Sequence, residues 1–153
     1  MVGGQTMDIQ AEGKALDPTT LLTLHSKKTG ALLRASLRLG AIYAGADDCQ
    51  YQALSRYGEH IGLAFQIVDD ILDFTSTEEA MGKPVGSDLV QGTLTLPAIL
   101  LAERYPDDNP VQQVFKTRDN KYVEQAIAMV RNSNIIDECY KEASEYCTLA
   151  CRN

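Results

Sequence analysis

Gly62-Leu63-Ala64-Phe65-Gln66-Ile67-Val68-Asp69-Asp70-Ile71-Leu72-Asp73-Phe74 sets three acids inside an otherwise apolar run. Apolar residues recur here at helical spacing, with no period-two alternation to compete. In a helix, Asp69 and Asp73 lie about 40° apart and share a face. Gln66 sits one turn earlier on nearly the same face, and Asp70 is about 100° round from Asp69. Like charges four residues apart repel, and acids near a helix C-terminus oppose the helix dipole. The stretch gains no stability from its own charges, so something cationic is expected to offset them. A water-facing acidic stripe is the plain alternative; the flanks Phe65, Ile67, Val68, Ile71, Leu72 and Phe74 argue against it.

Helical patterning extends in both directions. Residues 1–12 read as a short helix, or as the tail of one whose start is absent. Asp17-Pro18-Thr19 is a helix start, an acidic cap followed by proline at the first helical position. Leu21, Leu22, Leu24, Leu32, Leu33, Leu37, Leu39 and Ile42 predict a helix over 19–44 with a kink near Thr29-Gly30. Gly45-Ala46-Asp47-Asp48 reads as a stop and a new cap, opening a helix over 49–74. Residues 75–92, with Gly82, Pro84, Gly86 and Gly92, read as a long loop, the kind that carries function. A helix from about 93–96 to Arg104, a short one after the turn at Asn109-Pro110, and helices over 121–132 and 135–151 complete the pattern. The expected class is all-α, an antiparallel helix bundle in one domain over 1–153. No terminator follows Leu149-Ala150-Cys151 and no cap precedes Gly3-Gly4-Gln5, so the domain is expected to be partial, cut at both ends.

Composition narrows the function. Fourteen Lys and Arg against 21 Asp and Glu give a net charge of −7, which argues against a sequence-independent nucleic-acid binder. No apolar run reaches the roughly 18 residues of a membrane span. Met1-Val2-Gly3 has no basic flank or apolar stretch of a signal peptide. Four cysteines without such a signal read as cytoplasmic free thiols. Cys139, Cys147 and Cys151 fall roughly on one helical face and read as core or interface thiols, not zinc ligands.

Paired carboxylates on one helix face, followed by a glycine-rich segment with Lys83 and Asp88, suit a hard divalent cation bridging a phosphate or diphosphate. Mg²⁺ is the expected ion, and it lets an acidic protein hold an anionic substrate. Lys27-Lys28-Thr29-Gly30 alone reads as an exposed basic turn. In Gly82-Lys83-Pro84-Val85-Gly86-Ser87-Asp88, glycines permit sharp turns or close approach, and the lysine can meet a phosphate.

In this order and spacing, Gly4-Gln5-x-x-Asp8, Lys28-Thr29-Gly30, Phe65-Gln66-x-x-Asp69-Asp70-x-x-Asp73, Gly82-Lys83-x-x-Gly86-x-Asp88 and Thr95-x-Pro97 together resemble the trans-isoprenyl diphosphate synthases. These head-to-tail prenyltransferases make geranyl, farnesyl, geranylgeranyl and longer polyprenyl diphosphates. Asp69-Asp70-x-x-Asp73 is similar to their second aspartate-rich motif. The resemblance runs from Gly3 to about Leu101.

The resemblance implies an isoprenoid-synthase bundle around a deep cavity, usually a homodimer, and Mg²⁺-dependent condensation of isopentenyl diphosphate with an allylic diphosphate. It implies Asp69 as a direct metal ligand, Asp70 and Asp73 completing the acidic site, and Asp88 supporting it from behind. Lys28 and Lys83 would contact the allylic diphosphate. Thr29 and Gln66 would line the reacting end, with Gln5 and Asp8 near the same cavity. Many members have Gly-Lys where this chain has Gly92-Thr93, and no first aspartate-rich motif is present. The chain therefore resembles the C-terminal half of such an enzyme and is expected to be inactive alone and to self-associate. A non-catalytic regulatory subunit of a heteromeric synthase is the alternative; retention of the acids and lysines argues against it. A terpene cyclase or head-to-head synthase fits the Gly82–Asp88 segment less well.

Overall fold

The computed structural model describes residues 6–7, 16–107 and 109–152. The helix expected over 1–12, with Gln5 and Asp8, lies outside the described residues apart from Thr6 and Met7. Every regular element described is helical: α1 (Pro18–His25), a π turn (Ser26–Gly30), α2 (Ala31–Tyr43), α3 (Asp48–Thr75), α4 (Glu78–Met81), α5 (Ser87–Val90), α6 (Leu96–Arg104), α7 (Pro110–Thr117), α8 (Asn120–Arg131) and α9 (Ile135–Cys151).

The helix starts follow their capping residues. The Asp17 carboxylate accepts from the Thr20 N–H at 3.0 Å. Asp47 and Gln50 form a capping box at the head of α3. Asn109 accepts from the amides of Val111 and Gln112 to open α7. The stretch 75–92, expected as one long loop, instead holds two single-turn helices. Thr77 caps α4 by accepting from the Ala80 N–H, and Gly82 ends it in a left-handed conformation. The expected kink near Thr29-Gly30 takes the form of the π turn, where the Ala31 N–H reaches back five residues to the Ser26 carbonyl.

Helix α3 is the axis. On one side it packs antiparallel to the π turn and α2, with almost no space between backbones. A Cβ on Gly62 would stand 2.7 Å from the Gly30 Cα, and one on Gly58 would stand 2.8 Å from the Arg34 Cα. Glu59, between the two glycines, accepts from Ser26 at the start of the kink (3.1 Å) and from Arg34 after it (3.2 Å). On the other side α3 packs against α9, where Tyr146 meets His60. Ile67, Ile71 and Phe74 are fully buried and join Leu89, Ile99, Leu101, Val130 and Ile135 in one core. The C-terminal end of α3 receives Arg131, which donates to the carbonyls of Phe74 (2.7 Å) and Ser76 (3.2 Å). A cation there complements the helix dipole. Of the cysteines, Cys139 alone is buried, whereas Cys147 and Cys151 are exposed. Burial, reinforced by the Asp70 charge, pushes the Cys139 thiol up to about 12.

The glycines of α2 and α3 should therefore answer oppositely to a methyl group. Gly62→Ala forces backbones apart and should lower stability by about 1–3 kcal/mol in urea unfolding. Gly40→Ala meets no heavy atom within 4 Å. It should raise stability by up to about 1 kcal/mol through helix propensity. Equal responses would mean the contact at Gly62 is looser than described.

Candidate functional site

The three aspartates of α3 point to different surroundings. Asp70 is buried, and its Oδ2 accepts the Leu96 N–H at 3.0 Å and approaches His25 Nε2 at 3.1 Å. Leu96 is the first residue of α6, and the hydroxyl of Thr95 makes no capping bond there. Asp70 thus caps α6 from across the core, serving an N–H that the helix itself leaves unpaired.

The side chain of Asp73 is completely buried and organises the segment that follows α3. Its carboxylate accepts from Lys83 Nζ at 3.1 Å, Ser87 Oγ at 3.1 Å and the Asp88 N–H at 3.3 Å. Its carbonyl accepts the Gly86 N–H at 2.8 Å. Gly86 has φ +74°, and a Cβ on it would strike Val123 and Ile127 at 2.9 Å, so no other residue fits without strain. Lys83 also donates to Asp88 at 2.9 Å. The Gly-Lys-x-x-Gly-x-Asp spacing is therefore the wrapping of one turn around a buried carboxylate.

Asp69 is exposed, and no hydrogen bond or ion pair to another described residue engages its carboxylate. It lines a pocket of about 70 Å³ with Leu21, Leu24, Lys28, Gln66, Asp88 and the Thr93–Thr95 strip. Across the pocket wall Thr29 Oγ1 donates to Gln66 Oε1. Partial loss of water against the pocket walls, then the neighbouring Asp70 charge, raises the Asp69 pKa above its ordinary value, against a smaller pull from Lys83. Burial, then Asp88, raises that of Asp73, outweighing Lys83 and Ser87. Burial works to lower the Lys83 pKa, but its bonds to Asp88 and Asp73 prevail and hold it above 10.5. An open carboxylate made uncomfortable as an anion is chemically complementary to a divalent cation. Among the described residues no three acid, histidine or cysteine side chains converge to hold an ion unaided. The donor set fits Mg²⁺ held by one or two carboxylates, with waters and phosphate oxygens completing its shell.

Residues 1–131 match the family model described as polyprenyl synthetase. The chain belongs to the polyprenyl synthetase family. It is 48% identical over 100 residues to a farnesyl diphosphate synthase of Geobacillus stearothermophilus, covering 65% of this chain and 34% of that one. It is 37% identical over 142 residues to a short chain isoprenyl diphosphate synthase of Methanocaldococcus jannaschii, covering 93% of this chain and 39% of the relative. Its fold superposes on heptaprenyl diphosphate synthase from Staphylococcus aureus with a TM-score of 0.93 at 35% identity, over 99% of this chain and 48% of that one. A polyprenyl synthase from Caulobacter crescentus, solved with calcium and isoprenyl diphosphate, gives a TM-score of 0.90 at 28% identity, over 97% of this chain and 47% of that one. The chain thus spans about half the length of these solved relatives and less of the curated ones. The all-α bundle expected from sequence is the fold of this polyprenyl synthetase segment.

Of the residues the resemblance implicates, Lys28, Gln66 and Asp69 line this pocket and Thr29 stands on its wall; Asp88, expected behind the metal site, is in the lining itself. Asp70 touches the pocket, but its Oδ2 is turned to His25 and Leu96. Asp73 and Lys83 are paired with each other just behind. His25 and Ser87 were not anticipated. For His25 a signal existed: Leu21, Leu24 and His25 sit at i, i+3 and i+4 and share the buried face. Ser87 gives none, because its partner is fixed by the Gly86 turn.

Raised carboxyl pKa values mean the native state binds more protons than the unfolded state, so stability falls as pH rises from about 4 through the folded pKa values. The Lys83 contribution has the opposite range: full at neutral pH, lost as pH rises past 10.5 through its raised value. In metal-free buffer, Asp69→Asn should unfold at a higher temperature than the parent at pH 7 and lose less stability between about pH 4 and 7. Parallel melting curves across that range would contradict the strain assigned to Asp69.

Proposed function

We propose that these residues form the metal- and diphosphate-facing part of a head-to-tail prenyltransferase, which condenses isopentenyl diphosphate with an allylic diphosphate to give a longer isoprenyl diphosphate. The observation that carries this reading is Asp69 open on a pocket shared with Lys28 and Gln66, while its neighbours Asp70 and Asp73 are tied inward. Bound Mg²⁺ would neutralise the diphosphate and stabilise charge building on the leaving oxygen. Asp69 supplies the carboxylate for that ion, with Asp88 close enough to raise its pKa and so to share the positive charge. Lys28 meets the diphosphate from α1's side. Lys83, held by Asp73 and Asp88, adds its charge from the opposite side. Thr29 and Gln66 fix each other beside the reacting end. Leu16, Leu21, Leu24 and Leu94 give the pocket an apolar wall that limits water.

The reading places the enzyme in the cytoplasm as a homo-oligomer; no described helix is long and apolar enough to cross a membrane. Leu32, Leu39, Ile42 and Phe65 are large apolar side chains exposed along α2 and α3, which favours association. A heteromeric assembly is the second reading, favoured by 39% identity over 118 residues to heptaprenyl diphosphate synthase component 2 of Bacillus subtilis.

A thermal-shift titration with Mg²⁺ and a non-hydrolysable allylic diphosphate analogue tests the main reading. Stabilisation should need Mg²⁺, reach about 2.7 kcal/mol at a ligand concentration 100 times Kd, and disappear in Asp69→Asn. A shift that persists in EDTA, or in the variant, would place the ligand elsewhere.

A further inference from the structure

His25 is buried, with 6% of its surface exposed, at the junction where α1 enters the π turn. A carboxylate can only accept, so the 3.1 Å contact with Asp70 Oδ2 puts the imidazole hydrogen on Nε2. The same oxygen accepts the Leu96 N–H. One carboxylate oxygen therefore joins three elements: α1 through His25, α3 through Asp70 itself, and the head of α6 through Leu96. These elements, with the Thr93–Thr95 strip leading into α6, are the walls of the pocket that Asp69 faces.

The other ring nitrogen, Nδ1, is the one buried side-chain polar atom among the described residues without a hydrogen-bond partner. An orphaned polar atom costs stability, and an apolar residue at this place in the leucine face of α1 would avoid that cost. Packing alone does not account for a histidine here; the bond to Asp70 does.

We infer that His25 is a positioning residue whose Nε2–H bond to Asp70 latches the three pocket walls together. The latch sets the distance between Lys28 on α1's side, Asp69 on α3 and the strip before α6. It also keeps Asp70 turned inward, leaving Asp69 as the acid that faces the ligand. The inference rests on the diphosphate reading for its consequence in binding, but not for the latch itself.

Two measurements on the full chain separate these. Amide hydrogen exchange at Leu96 reads the latch without any ligand. Calorimetric titration with Mg²⁺ and inorganic pyrophosphate reads the pocket. His25→Gln keeps a donor at the reach of Nε2, whereas His25→Leu has none. His25→Asn, polar but too short to reach Asp70, replaces the leucine variant if that does not fold. The expected result is at least tenfold faster Leu96 exchange and about tenfold weaker pyrophosphate binding in the leucine or asparagine variant, with both restored in His25→Gln. Val130→Ala, a core truncation remote from the pocket, should lower the melting temperature without weakening binding. Equal behaviour of the glutamine and leucine variants, or unchanged Leu96 exchange in both, would overturn the latch. Affinity that simply follows melting temperature across all variants, Val130→Ala included, would reduce His25 to a structural residue. If the parent chain binds no pyrophosphate in Mg²⁺, the diphosphate reading fails, and Leu96 exchange still decides the latch.

Discussion

Two carboxylates buried in one apolar helix, Asp70 and Asp73, oblige the rest of the chain to come to them. An unpaired buried charge is far too costly to persist. Each therefore gathers donors from elements distant in sequence: His25 and the Leu96 amide for Asp70, and Lys83, Ser87 and the Asp88 amide for Asp73. The turn after α3, the head of α6 and the junction of α1 with the π turn take their places from these bonds. The glycine contacts earlier along α3 bring the kinked helix near enough for this.

Adjacent acids with opposite surroundings give the site its chemistry. Asp69 stands one residue from Asp70, and its pKa is raised by partial loss of water and by that neighbour, yet its carboxylate stays open. The helix keeps one anion reactive by anchoring the others. Lys83 is shared by Asp73 and Asp88, so a cation is already stored at the edge of the pocket. Arg131 at the end of α3 offsets the opposition between those acids and the helix dipole. The charges that look unfavourable within Gly62–Phe74 are balanced only once the fold has closed.

Much of this was legible in the sequence because it is local. Asp17-Pro18, Asp47-Asp48 and Asn109-Pro110 mark helix starts through bonds spanning three residues or fewer. The need for a cation followed from Asp69 and Asp73 sharing a face. The two turns of helix in the stretch 75–92 were hidden by their shortness, since four residues show no periodicity. The separate fates of the three aspartates were hidden for another reason. Helical spacing tells which way a side chain points, but not that a histidine 45 residues earlier or an amide 26 residues later waits there. Cys147 and Cys151 stand about 80° and 120° round α9 from Cys139, off the stripe that buries Ala143 and Ala150, and are exposed.

The claim that buried pairing of the acidic motif organises the site is tested most directly by a double-mutant cycle between Asp73 and Lys83. The parent, Asp73→Asn, Lys83→Met and the double variant would be unfolded in urea at neutral pH without metal. The account predicts a coupling of about 1 kcal/mol or more, with the double variant more stable than the sum of the single losses implies. Additivity within about 0.3 kcal/mol would contradict it, because the two groups would then be stabilised independently of each other.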